Sequence, residues 1–238
     1  KPNLNLPGLQ PDIIRIAKES GKPVIVVLLA GSAMALSWED EHVDAILDGF
    51  YPGAQGGAAI AEILFGGANP EGKLPITFYQ TTEELPEFTD YAMKGRTYRY
   101  MENEALYPFG YGLSYTTYAY GNLECVKPFD AQDGITLQVT VTNTGDREGT
   151  ETLQVYVKAK REGTPNPQLK YVKKITLKPG ESVTEEIHLS PEAFMLYDEK
   201  GNFTLEKGAY DIFVGGCQPD ARSAALTGNA PQKLTVTY

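Results

Sequence analysis

Residues 95–115 separate two halves of the chain that follow different sequence patterns. The segment reads GRTYRYMENEALYPFGYGLSY and is rich in Tyr and Phe. It has neither the alternation of a strand nor the 3.6-residue period of a helix, so we expect an irregular segment. Tyr and Phe bury large apolar areas, and a buried Tyr hydroxyl needs a polar partner. We name this segment the aromatic strap and predict that it lies across other structure.

Before the strap, helical and strand patterns alternate, which is typical of an α/β fold. Pro11 suits the first turn of a helix that runs to about residue 20, and Gly21 suits its C-terminal cap. Residues 23–29 (PVIVVLL) then form an apolar run, which predicts a parallel strand buried on both faces. Ligands bind beyond the carboxyl ends of such strands, so the loop at residues 30–33 is a candidate functional loop.

Residues 37–49 predict the next helix, with Ser37 as its N-cap and Asp40 at the capping-box position. Glu39, Asp40 and Glu41 also suggest paired catalytic carboxylates or metal ligands. Their place at the positive end of a helix dipole already explains them. We therefore predict no metal site here.

Residues 49–52 predict a short strand that leads through a glycine-rich loop into a helix ending near residue 65. Strand, glycine loop and helix is the outline of a phosphate-binding loop. The loop lacks the Lys-Ser/Thr pair of a P-loop and does not fit GxGxxG, so we predict no nucleotide or other cofactor. Residues 73–78 predict a further strand, at a sheet edge or broken, because Pro75 donates no amide hydrogen.

After the strap, short alternating segments such as residues 135–143 and 152–158 are separated by turns. This pattern predicts an antiparallel β-sandwich of the fibronectin type III-like class. The aromatic residues of this half fall singly on separate strands and connectors, so we predict that most of them pack in the core or at an interface. A carbohydrate-binding module is the alternative for this half.

The net charge of −10 and the pI near 4.8 argue against nucleic acid or an anionic membrane as a partner. The longest apolar run is far shorter than the roughly 18 residues of a membrane span. The sequence opens on Lys1 rather than Met, so we expect a processed or excised segment. Cys125 and Cys217 are expected to be small core residues, a disulfide between them is the alternative, and the compartment is left open.

Together these patterns predict an α/β plus all-β chain. We place the carboxy-terminal part of an α/β sandwich, a mainly parallel sheet with flanking helices, at residues 1–94. The strap and linker follow at 95–120, and a fibronectin type III-like antiparallel β-sandwich at 121–238.

Three motifs carry a resemblance to a known family. They read FYPGAQGGAAIAEILFGGANPEGKLPITF, GRTYRY and LYPFGYGLSYT, in this order along the chain. In order and spacing the sequence resembles the carboxy-terminal portion of the glycoside hydrolase family 3 β-glycosidases, the β-xylosidase and β-glucosidase members above all. The resemblance covers essentially the whole chain.

The resemblance implies a three-part enzyme made of a (β/α)8-type barrel, an α/β sandwich and a fibronectin type III-like domain. It places the aspartate nucleophile in the barrel and the glutamate acid/base upstream of LNLPGLQ, so neither residue is in this sequence. It implies a retaining, exo-acting enzyme that releases nonreducing-end xylose or glucose from β-linked oligosaccharides. We therefore expect an amino-terminal barrel portion as a companion chain, and the isolated chain to be inactive. Whether the protein forms a homo-oligomer is left open.

No catalytic residue is assigned within the chain. The remaining acids that could be considered are predicted to be solvated charges: Glu62, Glu83, Glu84, Glu102 and Glu104.

Trp38, the single tryptophan, is the one substrate-binding candidate, since an aromatic plate suits a sugar subsite. Packing at the start of a helix is its alternative explanation. Ser32, Arg96 and Arg99 are weaker candidates, and the two arginines are expected to bridge carboxylates or carbonyls between domains.

A non-enzymatic two-domain carbohydrate-binding or adhesion protein is the alternative function for the whole chain. The strap is predicted to tie the two domains together. Five of its aromatic residues are expected to be substantially buried only when the barrel is present: Tyr98, Tyr100, Tyr107, Phe109 and Tyr111.

Overall fold

The computed structural model describes residues 3–238, which form two compact units. The first unit contains the residues up to Ala68 together with Pro75–Phe109, and the second contains Asn69–Leu74 and Gly110–Tyr238. The strap is therefore shared, with its part up to Phe109 in the first unit and the rest in the second. The finer domain boundaries at residues 94 and 120 stay a prediction.

The first unit is an α/β structure with one small parallel sheet. Strand β1 pairs with β2 in parallel, and Ile25 lies opposite Ala45. The elements in chain order are α1 (Gln10–Glu19), β1 (Ile25–Leu28), α2 (Ser37–His42), β2 (Ala45–Asp48), α3 (Gly56–Leu64), a 3₁₀ turn (Thr82–Glu84) and α4 (Thr97–Tyr100). The mixed helix and strand class with a parallel sheet is confirmed, as is Gly21 after the first helix, where it adopts φ +71°.

The prediction that residues 23–29 form a strand buried on both faces is wrong for this chain. The strand itself is limited to β1, and both Ile25 and Leu29 are about half exposed. Within residues 3–238, β2 is the only strand that pairs with β1, and helix α1 buries none of its side chains. The apolar run therefore indicates a strand, but it does not predict how far the residues of this chain cover that strand.

The predicted helix over residues 37–49 is also wrong in its second half. Helix α2 ends at His42, and strand β2 takes the place of the last turns. Ser37 does not cap the helix, because its hydroxyl donates to the Gln80 carbonyl at 2.8 Å. Asp44 anchors the transition to β2, since its carboxylate accepts from the Val24 amide at 2.8 Å and from Lys18 at 2.9 Å.

One other strand prediction in this half is wrong, and a second holds only in its broken form. Residues 49–52 contain no strand, since β2 ends before them and Phe50 has a left-handed φ of +49°. Residues 73–78 form no continuous strand, and their only ladder contact is a single bridge between Phe78 and Tyr107. Pro75 interrupts this segment, as its missing amide hydrogen led us to expect. The helix after the glycine loop is confirmed as α3.

The second unit is a two-sheet antiparallel sandwich. Its elements are β3 (Tyr118–Asp130), β4 (Gly134–Asn143), β5 (Gly149–Ala159), β6 (Gln168–Leu177), β7 (Ser182–Leu189), a 3₁₀ turn (Pro191–Phe194), β8 (Leu196–Tyr197), β9 (Phe203–Thr204), β10 (Ala209–Gly215), α5 (Ala221–Thr227) and β11 (Gln232–Thr237). One sheet has the order β11-β10-β5-β6 and the other β3-β4-β7, while β8 and β9 form a separate hairpin.

The core of this unit lies between the two larger sheets. It contains Ile135, Leu137, Val139 and Val141 from β4, and strands β5, β6, β7 and β10 contribute further apolar side chains. Alternate residues of β4 are buried, which is the pattern that predicted the sandwich. The expectation that both cysteines are core residues holds for Cys217 only, because Cys125 is exposed on β3. Both thiols are free.

The strap contains one short helix, α4, and is otherwise irregular. The five aromatic side chains named above are half-buried in this chain. Tyr98 and Phe109 stack on each other, with their ring centroids 4.2 Å apart and the planes 9° from parallel. Further burial of these rings by a partner stays a prediction. Among residues 3–238, no helix has the length and apolar character required to cross a membrane.

Candidate functional site

The carboxyl ends of β1 and β2 bring two loops together in the first unit. Because the strands are parallel, residues 30–33 and 49–52 emerge at the same edge of the sheet. Gly31 lies against the ring of Tyr51, and a Cβ atom on Gly31 would overlap that ring. Tyr51 itself is 81% exposed. The edge thus presents an aromatic surface that depends on a glycine beneath it.

Asp48 is the carboxyl group at this edge. Its Oδ1 accepts a hydrogen bond from the Phe50 amide at 3.0 Å, and this bond supports the left-handed conformation of Phe50. Its Oδ2 is buried without a hydrogen-bond partner among the described residues. Burial raises the pKa of Asp48. Asp48 Oδ2 is placed to accept a hydrogen bond from a further group. One carboxyl alone does not make a site for retaining glycoside hydrolysis, which needs two.

Trp38 lies on helix α2, near the loop after β1, as the sequence predicted. Its indole stacks on the His42 ring, with centroids 4.3 Å apart and planes 7° from parallel. The Arg15 guanidinium lies over the same indole, 5.2 Å from its centroid. The side chain is half-buried. These contacts within the chain favour the packing explanation, and a sugar contact by Trp38 stays a prediction.

The acidic cluster on α2 has a structural partner that the sequence pattern did not reveal. Asp40 does not complete a capping box; its Oδ1 accepts a 2.6 Å hydrogen bond from the Tyr107 hydroxyl in the strap. Glu39 is buried and Glu41 is exposed. Asp40 on this helix is therefore the polar partner that the hydroxyl of the half-buried Tyr107 needs.

The weaker site candidates are accounted for locally. Ser32 is exposed in its loop. Arg96 donates from Nε to the Ala92 carbonyl at 3.0 Å and from an Nη to the Glu87 and Asp90 carbonyls at 3.1 and 2.5 Å. All three carbonyls belong to the first unit, so these bonds do not join two domains as predicted. Arg96 organises the preceding loop, while the Arg99 guanidinium lies over the Tyr100 ring.

The acids predicted to be solvated charges mostly are. Four of them are exposed, namely Glu62, Glu83, Glu102 and Glu104. Glu84 differs, since it is half-buried and its carboxylate accepts from the Gln80 amide at 2.9 Å and the Thr81 amide at 3.4 Å. Thr81 and Glu84 form a capping box at the start of the 3₁₀ turn.

The second unit contains a buried polar cluster that sequence reasoning missed. Glu151, on β5, accepts a 2.9 Å hydrogen bond from the Tyr120 hydroxyl and lies 3.8 Å from the Lys73 ammonium. Lys73 also donates to the Gly112 carbonyl at 2.7 Å. Burial raises the pKa of Glu151 and, with the neighbouring Glu151 charge, raises that of Tyr120 well above its ordinary value.

A second set of hydrogen bonds from β5 holds the strap at Gly110, where its part in the second unit begins. Gln154 donates from Nε2 to the carbonyls of Gly110 and Gly216, each at 2.9 Å. Its Oε1 accepts from the Tyr156 hydroxyl at 2.6 Å. Strand β5 is buried on both faces, so Gln154 and Tyr156 are buried although they lie opposite the core side chains of the strand. Apolar residues alternating with Gln154 and Tyr156 were the available sequence signal for this second buried face. These groups have an architectural role and hold the segments 69–74 and 110–112 on the sandwich.

The fold thus defines a protein that joins an α/β unit to a fibronectin type III-like sandwich. Residues 1–115 match the glycosyl hydrolase family 3 C-terminal domain, and residues 151–218 match the fibronectin type III-like domain. The chain belongs to glycoside hydrolase family 3 and corresponds to the carboxy-terminal portion of its members.

Curated relatives resemble the chain over most of its length. A xylan 1,4-beta-xylosidase of Xylanibacter ruminicola is 41% identical over 94% of the chain, and a periplasmic beta-glucosidase of Salmonella typhimurium is 40% identical over 90%. The chain spans only 26% and 30% of these relatives.

Solved structures give the same result for the fold. A β-glucosidase from Erythrobacter marinus superposes with a TM-score of 0.83 at 34% identity, over 100% of this chain and 31% of that one. A β-glucosidase from Listeria innocua in complex with isofagomine has a TM-score of 0.83 at 29% identity, over 99% of this chain and 34% of that one. The resemblance expected from the sequence motifs is confirmed.

Proposed function

We propose that the chain is the carboxy-terminal part of a retaining, exo-acting β-glycosidase that releases nonreducing-end xylose or glucose from β-linked oligosaccharides. The observation that carries the proposal is the match of the first domain to family 3, with relatives named β-xylosidase and β-glucosidase along more than 90% of the chain. The proposal includes both xylose and glucose, because a β-xylosidase and a β-glucosidase are similar to the chain at nearly the same sequence identity.

The proposal assigns the chemistry to the amino-terminal portion. Retaining hydrolysis uses a nucleophile and an acid/base carboxyl about 5 to 5.5 Å apart. Several acids of this chain already serve its structure, since Asp40 accepts from Tyr107, Glu84 completes a capping box and Glu151 lies beside Lys73. The greater length of the relatives supports a barrel portion within the same polypeptide, in place of a separate companion chain.

The isolated chain is expected to show no turnover of aryl β-xylosides or aryl β-glucosides. The measurement is release of the aryl alcohol, with the complete protein, amino-terminal portion included, as the positive control. Turnover by the isolated chain at a rate near that of the complete protein would contradict the assignment of both carboxyls to the missing portion. Failure of the complete protein on every β-glycoside tried would contradict the proposed activity itself.

We propose that Trp38, besides packing against His42 and Arg15, contacts the substrate in the complete enzyme. Replacing it by alanine is expected to raise KM about fivefold with little change in kcat, because a stacking interaction of about 1 kcal/mol would be lost. His42→Ala is the matched control, since it removes the stacked imidazole and leaves the indole. A lower melting temperature with unchanged KM would instead assign Trp38 to packing.

A further inference from the structure

The hairpin of β8 and β9 carries two exposed aromatic rings side by side. Tyr197 and Phe203 are direct cross-strand partners, with ring centroids 4.9 Å apart and planes tilted by 36°. Tyr197 is 71% exposed and Phe203 is 42% exposed. The sequence predicted that aromatics of this half fall singly, but pairing brings these two together. Two adjacent rings on one hairpin form a wider apolar surface than either ring alone.

The two rings are supported by the turn of the hairpin and by the residues just before β8. In its turn, the Asp198 carboxylate accepts from the amides of Lys200 and Asn202, each at 2.8 Å, and from the Asn202 side chain at 2.9 Å. These bonds hold the pKa of Asp198 below its usual value. Just before β8, Phe194 is buried in the core, where its ring packs edge-on against Phe129 and Tyr210. A ring pair fixed in this way loses little conformational entropy on binding.

We propose that Tyr197 and Phe203 form a binding surface for a neutral β-linked polysaccharide. The apolar C–H faces of sugar rings stack on aromatic rings, and the hydroxyl groups need donors and acceptors nearby. The turn between the strands supplies both kinds, through the exposed Lys200 and Glu199. The choice of polysaccharide rests on the proposed function, and the net charge of −10 opposes a polyanion as the occupant.

Native gel electrophoresis of the 238-residue chain in gels containing soluble xylan tests the proposal. The chain is expected to migrate more slowly with increasing xylan, relative to a protein standard that does not bind sugar. Tyr197→Thr and Phe203→Thr remove one ring each and introduce a β-branched residue that suits a strand, and each is expected to weaken binding about tenfold. Tyr197→Phe keeps the platform and should stay within about threefold of the original chain.

The control variant is Val172→Thr, which changes an exposed apolar residue on β6 without touching the ring pair. It should bind xylan as the original chain does. No retardation by xylan, or equal retardation of both ring variants and the original chain, would overturn the proposal. Loss of binding in the Val172 control would overturn it too, since the surface would then lie elsewhere. Because the gel measures binding and not turnover, its failure is distinguishable from failure of the proposed activity.

Discussion

Replacing Gly110 by alanine is expected to lower the free energy of unfolding of the second unit by about 3 kcal/mol. Gly110 has φ +79°, a left-handed conformation that costs an L-residue roughly 1–2 kcal/mol. The added methyl group would also overlap Gln154 Oε1 and the Tyr156 hydroxyl, and both side chains are buried. Overpacking of this kind costs about 1–3 kcal/mol.

The neighbours of Gly110 cannot yield without breaking other bonds. The Gly110 amide donates to the Leu74 carbonyl at 2.8 Å, and the Leu74 amide donates to the Tyr111 carbonyl at 2.8 Å. Displacing Gln154 would release the two carbonyls that its amide group binds. We therefore expect the alanine variant to loosen the docking of residues 69–74 as well as to destabilise the sandwich.

Gly163→Ala is the matched control for the backbone term. Gly163 has φ +74°, and a Cβ atom there meets no heavy atom within 4 Å. Its substitution should cost about 1 kcal/mol, the strain alone. Urea unfolding of the two variants measures the difference, which should be about 2 kcal/mol and represents the overlap at Gly110. Equal destabilisation by the two substitutions would contradict the overlap argument.

The sandwich could be predicted from sequence because strands such as β4 bury one face and leave the other partly exposed. The alternating residues of β4 show this most clearly, since Ile135, Leu137, Val139 and Val141 are all fully buried. In the first unit the same reasoning failed for residues 37–49. A short helix followed by a strand has the same apolar content as one long helix, and the Asp44 bonds that start β2 involve residues distant in sequence.

The candidate site was predictable in location but not in contacts. The loop after β1 and the position of Trp38 follow from the order of elements. The hydrogen bond from Tyr107 to Asp40 and the ring pair of Tyr197 and Phe203 depend on tertiary pairing, for which the sequence carries no local signal. The proposal that the catalytic carboxyls lie outside the chain rests on the family motifs.

The second large effect concerns the buried pair of Lys73 and Glu151. Glu151→Ala is expected to lower the free energy of unfolding by about 3–5 kcal/mol, the range for removing one partner of a buried ion pair. The side chains of Lys73 and Glu151 are only 15% and 6% exposed, so water compensates little. The hydroxyl of the half-buried Tyr120 would lose its acceptor, and among residues 3–238 Lys73 would keep its hydrogen bond to the Gly112 carbonyl.

Lys174→Ala is the control for this substitution, because its ion pair with Glu71 lies in the same unit but is exposed. Its loss should cost no more than about 1 kcal/mol. A third variant, with Lys73→Met and Glu151→Met together, should recover much of the stability lost in Glu151→Ala, since no buried charge remains. Urea unfolding at neutral pH compares the three, and equal losses in the buried and exposed pairs would contradict the burial argument.

The pH dependence of the free energy of unfolding gives an independent test of the effect of burying the Glu151 carboxyl. Burial raises the pKa of Glu151 above its ordinary value of 4.5, so the folded chain binds its proton more tightly than the unfolded chain does. The associated stability is therefore fully present below pH 4.5 and is lost as the pH rises through the folded-state pKa. Glu151→Gln cannot titrate and still offers Tyr120 an acceptor oxygen. We expect the stability of the original chain, measured relative to Glu151→Gln, to fall as the pH rises across this window. A relative stability that rises over the same window would show that the ion pair with Lys73 outweighs the cost of burying the charge.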